Sequence, residues 1–111
     1  MLAIWHNPRC SKSRETLALL QARGLEPAVV EYLKTPPSAA EIDAVLTMLG
    51  IGPRELMRRG EAEYASVSAD ASRDALIAAM VAMPKLIERP VVIHDGKAAI
   101  GRPPEAVLAI L

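Results

Sequence analysis

Apolar residues open the chain as an unbroken run, Leu2-Ala3-Ile4-Trp5, cut off by Asn7-Pro8. A short continuous apolar run closed by a pair that breaks both helix and strand predicts a buried strand. The period then changes. Leu17, Ala18 and Leu20 fall in a stretch from Ser11 or Ser13 to Arg23 that reads as a helix, and Gly24 stands where a C-terminal cap belongs. Pro27 to Tyr32, with a β-branched centre at Val29-Val30, reads as a second strand. Strand, helix, strand implies a right-handed crossover and a parallel pair.

Thr35-Pro36-Pro37 is a stiff connector, and Ser38-Ala39-Ala40-Glu41 has the form of a capping box. Ile42, Val45, Leu46 and Leu49 then recur at helical spacing before Gly50 ends the run. A shorter helix is predicted over Pro53 to Arg59, with proline suited to its first turn. Another runs over Ser72 to Met83, burying Leu76, Ile77, Met80 and Val81 and stopped by Pro84. Val91 to His94 and Lys97 to Ile100 flank Asp95-Gly96, a strong hairpin signal. Pro103-Pro104-Glu105 opens a last helix with Val107, Leu108 and Leu111 on one face. With no repeat or flexible linker, residues 1–111 read as one domain. A βαβ unit, a helical insertion and a closing ββα is the order of a thioredoxin/glutaredoxin-like α/β fold.

Composition narrows the function classes. Thirteen Lys and Arg balance thirteen Asp and Glu, so no global field draws the chain to nucleic acid or anionic lipid. Trp5, Tyr32 and Tyr64 are the only aromatics, too few for base-stacking platforms. No apolar run approaches the ~20 residues that span a bilayer, and no signal peptide precedes the first strand. The expectation is a soluble cytoplasmic protein that binds neither nucleic acid nor membrane. A single cysteine excludes an internal disulfide and a Cys-rich metal site, so no metal is expected.

That cysteine sits in His6-Asn7-Pro8-Arg9-Cys10-Ser11-Lys12-Ser13-Arg14, at the junction of the first strand and helix. Thiol chemistry needs the thiolate, and an ordinary thiol is mostly protonated at neutral pH. A helix N-terminus, the cations Arg9, Lys12 and Arg14, and His6 would all favour the anion. A lone cysteine is more commonly a small buried hydrophobe, but this polar, cationic loop argues for exposure. Ser13 occupies the second position of Cys-x-x-Ser, so turnover would need an external thiol. The same helix start could cradle an oxyanion, for which arginine is the favoured further ligand. Arg58, Arg89 and Arg102 stand at element boundaries, where solvated surface charge is the plainer reading of each alone. Pro90 directly precedes a strand, a place where a cis bond costs little.

Taken together, these motifs resemble the ArsC-type, glutaredoxin-dependent arsenate reductase family. The segments that carry the resemblance are His6 to Ser13, Tyr32-Leu33 followed by Thr35-Pro36-Pro37, Arg54 to Arg58, Ile87-Glu88-Arg89-Pro90 and Gly101-Arg102-Pro103. The resemblance implies that Cys10 attacks arsenate to form a covalent adduct and that His6 helps keep the thiol ionised. It also implies that Arg58, Arg89 and Arg102 hold the oxyanion and that Pro90 faces the cysteine. Glutathione would supply electrons as co-substrate, with no bound cofactor. Glutaredoxin would resolve the mixed disulfide. Two other readings stay open: a non-catalytic regulator resembling the Spx family, which binds RNA polymerase, and a general glutathione-linked thiol oxidoreductase. The first commonly carries Cys-x-x-Cys, where this chain has Ser13.

Overall fold

A computed structural model describes residues 1–111. The chain forms two compact units, residues 1–35 with 89–111, and residues 36–88. The first unit contains β1 (Leu2–Trp5), α1 (Ser11–Ala22), β2 (Ala28–Val30), β3 (Val91–His94) and β4 (Lys97–Ile100), closed by a 3-10 segment over Pro104–Ile110. Its four-stranded sheet has the order β2-β1-β3-β4. β1 runs parallel to β2 and antiparallel to β3, with Ile4 opposite both Val29 and Val92. This is the mixed α/β sheet of a thioredoxin-like fold.

The sheet's register explains its core. Ile4 and Val92 are partners across β1 and β3, so they share a face, and there they meet Leu20 of α1 and Val107 of the C-terminal segment. All four are fully buried. Each such side chain stabilises the fold by about 1.5–3 kcal/mol relative to exposure. The β3–β4 turn places Asp95 at φ 47° and Gly96 at φ 79°, the two positive values that an Asp-Gly hairpin requires.

The second strand is shorter than its apolar run suggested. The ladder ends where the His6 N–H donates to the Val30 carbonyl (2.8 Å), and the chain then turns, with the Lys34 and Thr35 N–H groups both donating to the Glu31 carbonyl at 2.9 Å. Tyr32 leaves the strand and is fully buried. The closing segment is 3-10 throughout rather than α-helical, and Leu111 is exposed while Val107 and Pro104 are buried.

The second unit holds α2 (Ala39–Leu49), α3 (Pro53–Leu56) and α4 (Arg73–Ala82), with 3-10 turns at Ala62–Ser66 and Pro84–Leu86. The capping box is complete: Ser38 Oγ accepts from the Glu41 N–H at 3.1 Å, and Glu41 accepts from the Ser38 N–H at 2.9 Å. Gly50 closes α2 in the left-handed region at φ 68°. α3 stops three residues short of Arg59. Met57 turns extended and pairs with Ile87 in an antiparallel bridge instead. The Arg58 N–H donates to the Leu86 carbonyl (2.6 Å) and the Glu88 N–H to that of Leu56 (2.7 Å), which clips Arg58 onto the unit's end.

Candidate active site

Cys10 is the N-cap of α1, with extended dihedrals of φ −95° and ψ 122°. The turn leading to it is knotted by Asn7. Its carbonyl accepts from the Cys10 N–H at 3.0 Å, and its side-chain oxygen accepts from the Arg9 N–H at 3.0 Å. The turn sends Pro8 and Arg9 outward and Cys10 inward, so the thiol is only 8% exposed despite its cationic neighbours. The charged sequence around it therefore misleads about burial, because the turn exposes Pro8 and Arg9 together and buries Asn7 and Cys10 on either side of them.

The cations that act on the sulfur are also not those adjacent in sequence. Lys12 pairs with Glu15 (3.6 Å), and the Arg14 guanidinium donates to the Pro8 carbonyl at 2.9 Å. Instead Arg102, 92 positions away, brings Nη2 to 3.5 Å from Cys10 Sγ. Its Nε donates to the Arg89 carbonyl at 2.8 Å, which ties the two arginine loops together. Burial pushes the Cys10 thiol up. The Ser13 N–H, a hydrogen bond from the Arg89 guanidinium, and the charges of Arg89 and Arg102 pull it down further, so it ionises below the ordinary thiol range. The sulfur accepts no bond of standard capping geometry. The Ser13 N–H is the third of the helix, the amide that an N-cap side chain faces, and it favours the thiolate.

His6 does not reach Cys10 among its hydrogen bonds. Its Nδ1 lies 2.6 Å from Ser13 Oγ, which also accepts from the Asn7 N–H at 3.0 Å. A hydroxyl that accepts from Asn7 still has its proton to donate to an unprotonated Nδ1 and a second lone pair to accept from a protonated one. Burial holds the His6 pKa below its ordinary value; Glu31 opposes that shift and Arg14 adds to it. The sequence gives no hint that Ser13 is fully buried in this role, since hydroxyls carry no hydrophobic signal.

Both X-Pro bonds beside the arginines, Arg89-Pro90 and Arg102-Pro103, are cis. Gly101 lies between them in space. Its N–H donates to the Pro90 carbonyl at 2.9 Å. A Cβ there would fall 2.7 Å from Pro90 Cγ and 2.5 Å from Thr16 Oγ1. Only glycine lets the end of β4, Pro90 and α1 approach this closely.

Arg58 belongs to the other unit. Its Nη1 donates to Glu61 Oε1 at 3.0 Å, and its Nε lies 3.4 Å from Glu88 Oε1, so a half-buried guanidinium is held between two carboxylates. No group of His, Cys, Asp and Glu side chains converges in a way that could hold a metal ion.

The ArsC family model matches residues 5–110. An Escherichia coli K12 relative, "Uncharacterized protein YfgD", is 57% identical, with 97% of this chain and 94% of that protein covered. An arsenate reductase of Neisseria meningitidis is 44% identical, covering 99% of this chain and 97% of the relative. A solved arsenate reductase from Vibrio cholerae superposes with a TM-score of 0.96 at 50% identity, over 99% of this chain and 97% of that one. With the match extending across the cysteine turn and both cis-proline segments, this chain belongs to the ArsC family.

Proposed function

We propose that the protein is an arsenate reductase that draws electrons from glutathione and is recycled by glutaredoxin. The observation that carries this reading is the Arg102 guanidinium 3.5 Å from the Cys10 sulfur. It joins a nucleophile to an oxyanion ligand in one site. The names of the relatives supply the substrate.

In this reading the Cys10 thiolate attacks arsenic(V), an S–As bond forms, and an arsenate oxygen leaves as water after protonation. A glutathione thiolate then attacks the Cys10 sulfur. The S–As bond breaks with its electron pair going to arsenic, which becomes arsenic(III), while Cys10 and glutathione are joined as a mixed disulfide. Glutaredoxin takes the glutathionyl sulfur and restores the thiolate. The chain has one cysteine, so the thiol that attacks the Cys10 sulfur and the thiol that resolves the mixed disulfide both come from outside it. Arg89 and Arg102 neutralise the oxyanion and the charge that builds on it, and Arg58 is the third arginine assigned to that task. His6 supports the thiolate, and Pro90 shapes the wall beside it. No bound cofactor is required, and a permanently free thiol suits a reducing cytosol.

The test is arsenate reduction coupled to purified glutathione and glutaredoxin. Cys10→Ser is expected to fall to the uncatalysed background, while Arg23→Ala, on the exposed end of α1, keeps wild-type turnover. Turnover surviving in Cys10→Ser would end the cysteine mechanism.

A further inference from the structure

We propose that Ser13 is a positioning residue for Cys10: its Oγ, bonded to both His6 and Asn7, anchors the first turn of α1 and holds the Ser13 N–H at the sulfur, so that His6 acts on the thiol through Ser13 rather than by touching it. The inference rests on the reading of Cys10 as the reactive thiol.

Three observations converge on it. Ser13 is wholly buried, and both hydrogen bonds of its hydroxyl run back to the turn before Cys10, at 2.6 Å to His6 and 3.0 Å to the Asn7 N–H. That turn in turn fixes Cys10, whose N–H donates to the Asn7 carbonyl at 3.0 Å. The third N–H of α1 belongs to Ser13, and a third-position N–H is the one an N-cap side chain meets. One residue thus offers its side chain to the strand end and its amide to the thiol.

The charges facing this assembly are few. Arg89 and Arg102 act on Cys10 from the two proline loops; Glu31, after β2, and Arg14, on α1, act on His6. None of them links His6 to the sulfur, whereas Ser13 does. The position where a dithiol enzyme would carry a resolving cysteine is therefore committed here to a different task. Its hydroxyl faces His6 and Asn7, and the sulfur receives only its amide.

The experiment is the pH profile of Cys10 alkylation by iodoacetamide, measured without arsenate or glutathione, in wild type, Ser13→Ala, Ser13→Thr, His6→Gln and the Ser13→Ala/His6→Gln pair. Ser13→Ala is expected to raise the midpoint by roughly half a pH unit or more, about a threefold loss of thiolate preference. Ser13→Thr, which keeps the hydroxyl, recovers most of that. His6→Gln raises the midpoint alone but adds little on top of Ser13→Ala. In the coupled assay Ser13→Ala lowers kcat and leaves the arsenate KM nearly unchanged, because the arginines are untouched. A folded Ser13→Ala protein with the wild-type midpoint, or a His6→Gln shift that adds in full to it, overturns the proposal. Should Ser13→Ala not fold, hydrogen exchange of the Ser13 amide in His6→Gln decides: faster exchange supports the link, and unchanged exchange with a raised Cys10 midpoint overturns it. Alkylation needs no arsenate, so a failure of the arsenate assay leaves this measurement standing, and the reverse also holds.

Discussion

At the scale of single residues, burial and charge pull the site's two titrating groups in chemically matched directions. Burial alone would make Cys10 a poor nucleophile; Ser13, Arg89 and Arg102 reverse that. His6 has no such reversal, since desolvation and Arg14 outweigh Glu31 and keep the ring neutral. A pH dependence of stability follows. The unfolded chain binds a proton at His6 near pH ~6.5, and the folded chain resists doing so until a lower pH. Its contribution is therefore complete above about 6.5 and is lost as pH falls from there through the lowered folded value. Urea unfolding of wild type and His6→Gln at about pH 7.5 and about pH 5.5 should show a smaller acid loss in the variant, every other group being common to both. Equal losses would place His6's proton elsewhere than in folding. From sequence, His6 is expected to donate a hydrogen bond or carry charge close to the sulfur. The structure places its Nδ1 on the Ser13 hydroxyl, a contact that no spacing of residues encodes.

At the scale of elements, α1 shows what hydrophobic periodicity reads and what it misses. Leu20 is buried as its spacing implies, but Ala18 is exposed, and the remaining buried face is Ser13 and Thr16. Thr16 Oγ1 donates to the Lys12 carbonyl at 2.8 Å, so its burial leaves no hydroxyl unpaired. A helix that packs through satisfied hydroxyls looks weakly amphipathic in sequence. The signals that were legible are those with local chemistry: the Ser38 capping box, the left-handed Gly50 and the Asp95-Gly96 turn all appear as their residues dictate. Arg89 and Arg102 reach Cys10's surroundings from loops almost a chain length away; their places at element boundaries marked them in the sequence, but only the family resemblance gave them a task there. Gly101 is where these elements are held together. Gly101→Ala clashes with both Thr16 and Pro90, and overpacking of this kind costs about 1–3 kcal/mol. A urea midpoint lowered accordingly, with an unchanged m-value, is the expected result. A wild-type midpoint would mean the loop has slack that its contact distances deny.

At the scale of the whole chain, the decisive fact is one thiol in 111 residues. Arsenate to arsenite is a two-electron step, and a pair of thiols supplies two electrons by ending as a disulfide. With Cys10 as the sole sulfhydryl, the chain cannot close that disulfide on itself, and Ser13, in the resolving position, is buried and committed elsewhere. On the proposed reaction, protein and arsenate alone should therefore yield no arsenite beyond background. Adding glutathione without glutaredoxin should trap one glutathionyl group per chain, visible by intact-mass spectrometry and absent from Cys10→Ser. Glutaredoxin should then clear the adduct and turn a stoichiometric event into turnover. The competing readings part from this sequence at defined points. A general thiol oxidoreductase would accept the glutathionyl group from a glutathionylated peptide with no arsenate present, and would do so faster than it handles arsenate. A polymerase-binding regulator would be retained by RNA polymerase subunits in one redox state of Cys10 and would show no arsenate-dependent adduct. An adduct that forms equally fast with and without arsenate would remove arsenate from the reaction while keeping Cys10 at its centre.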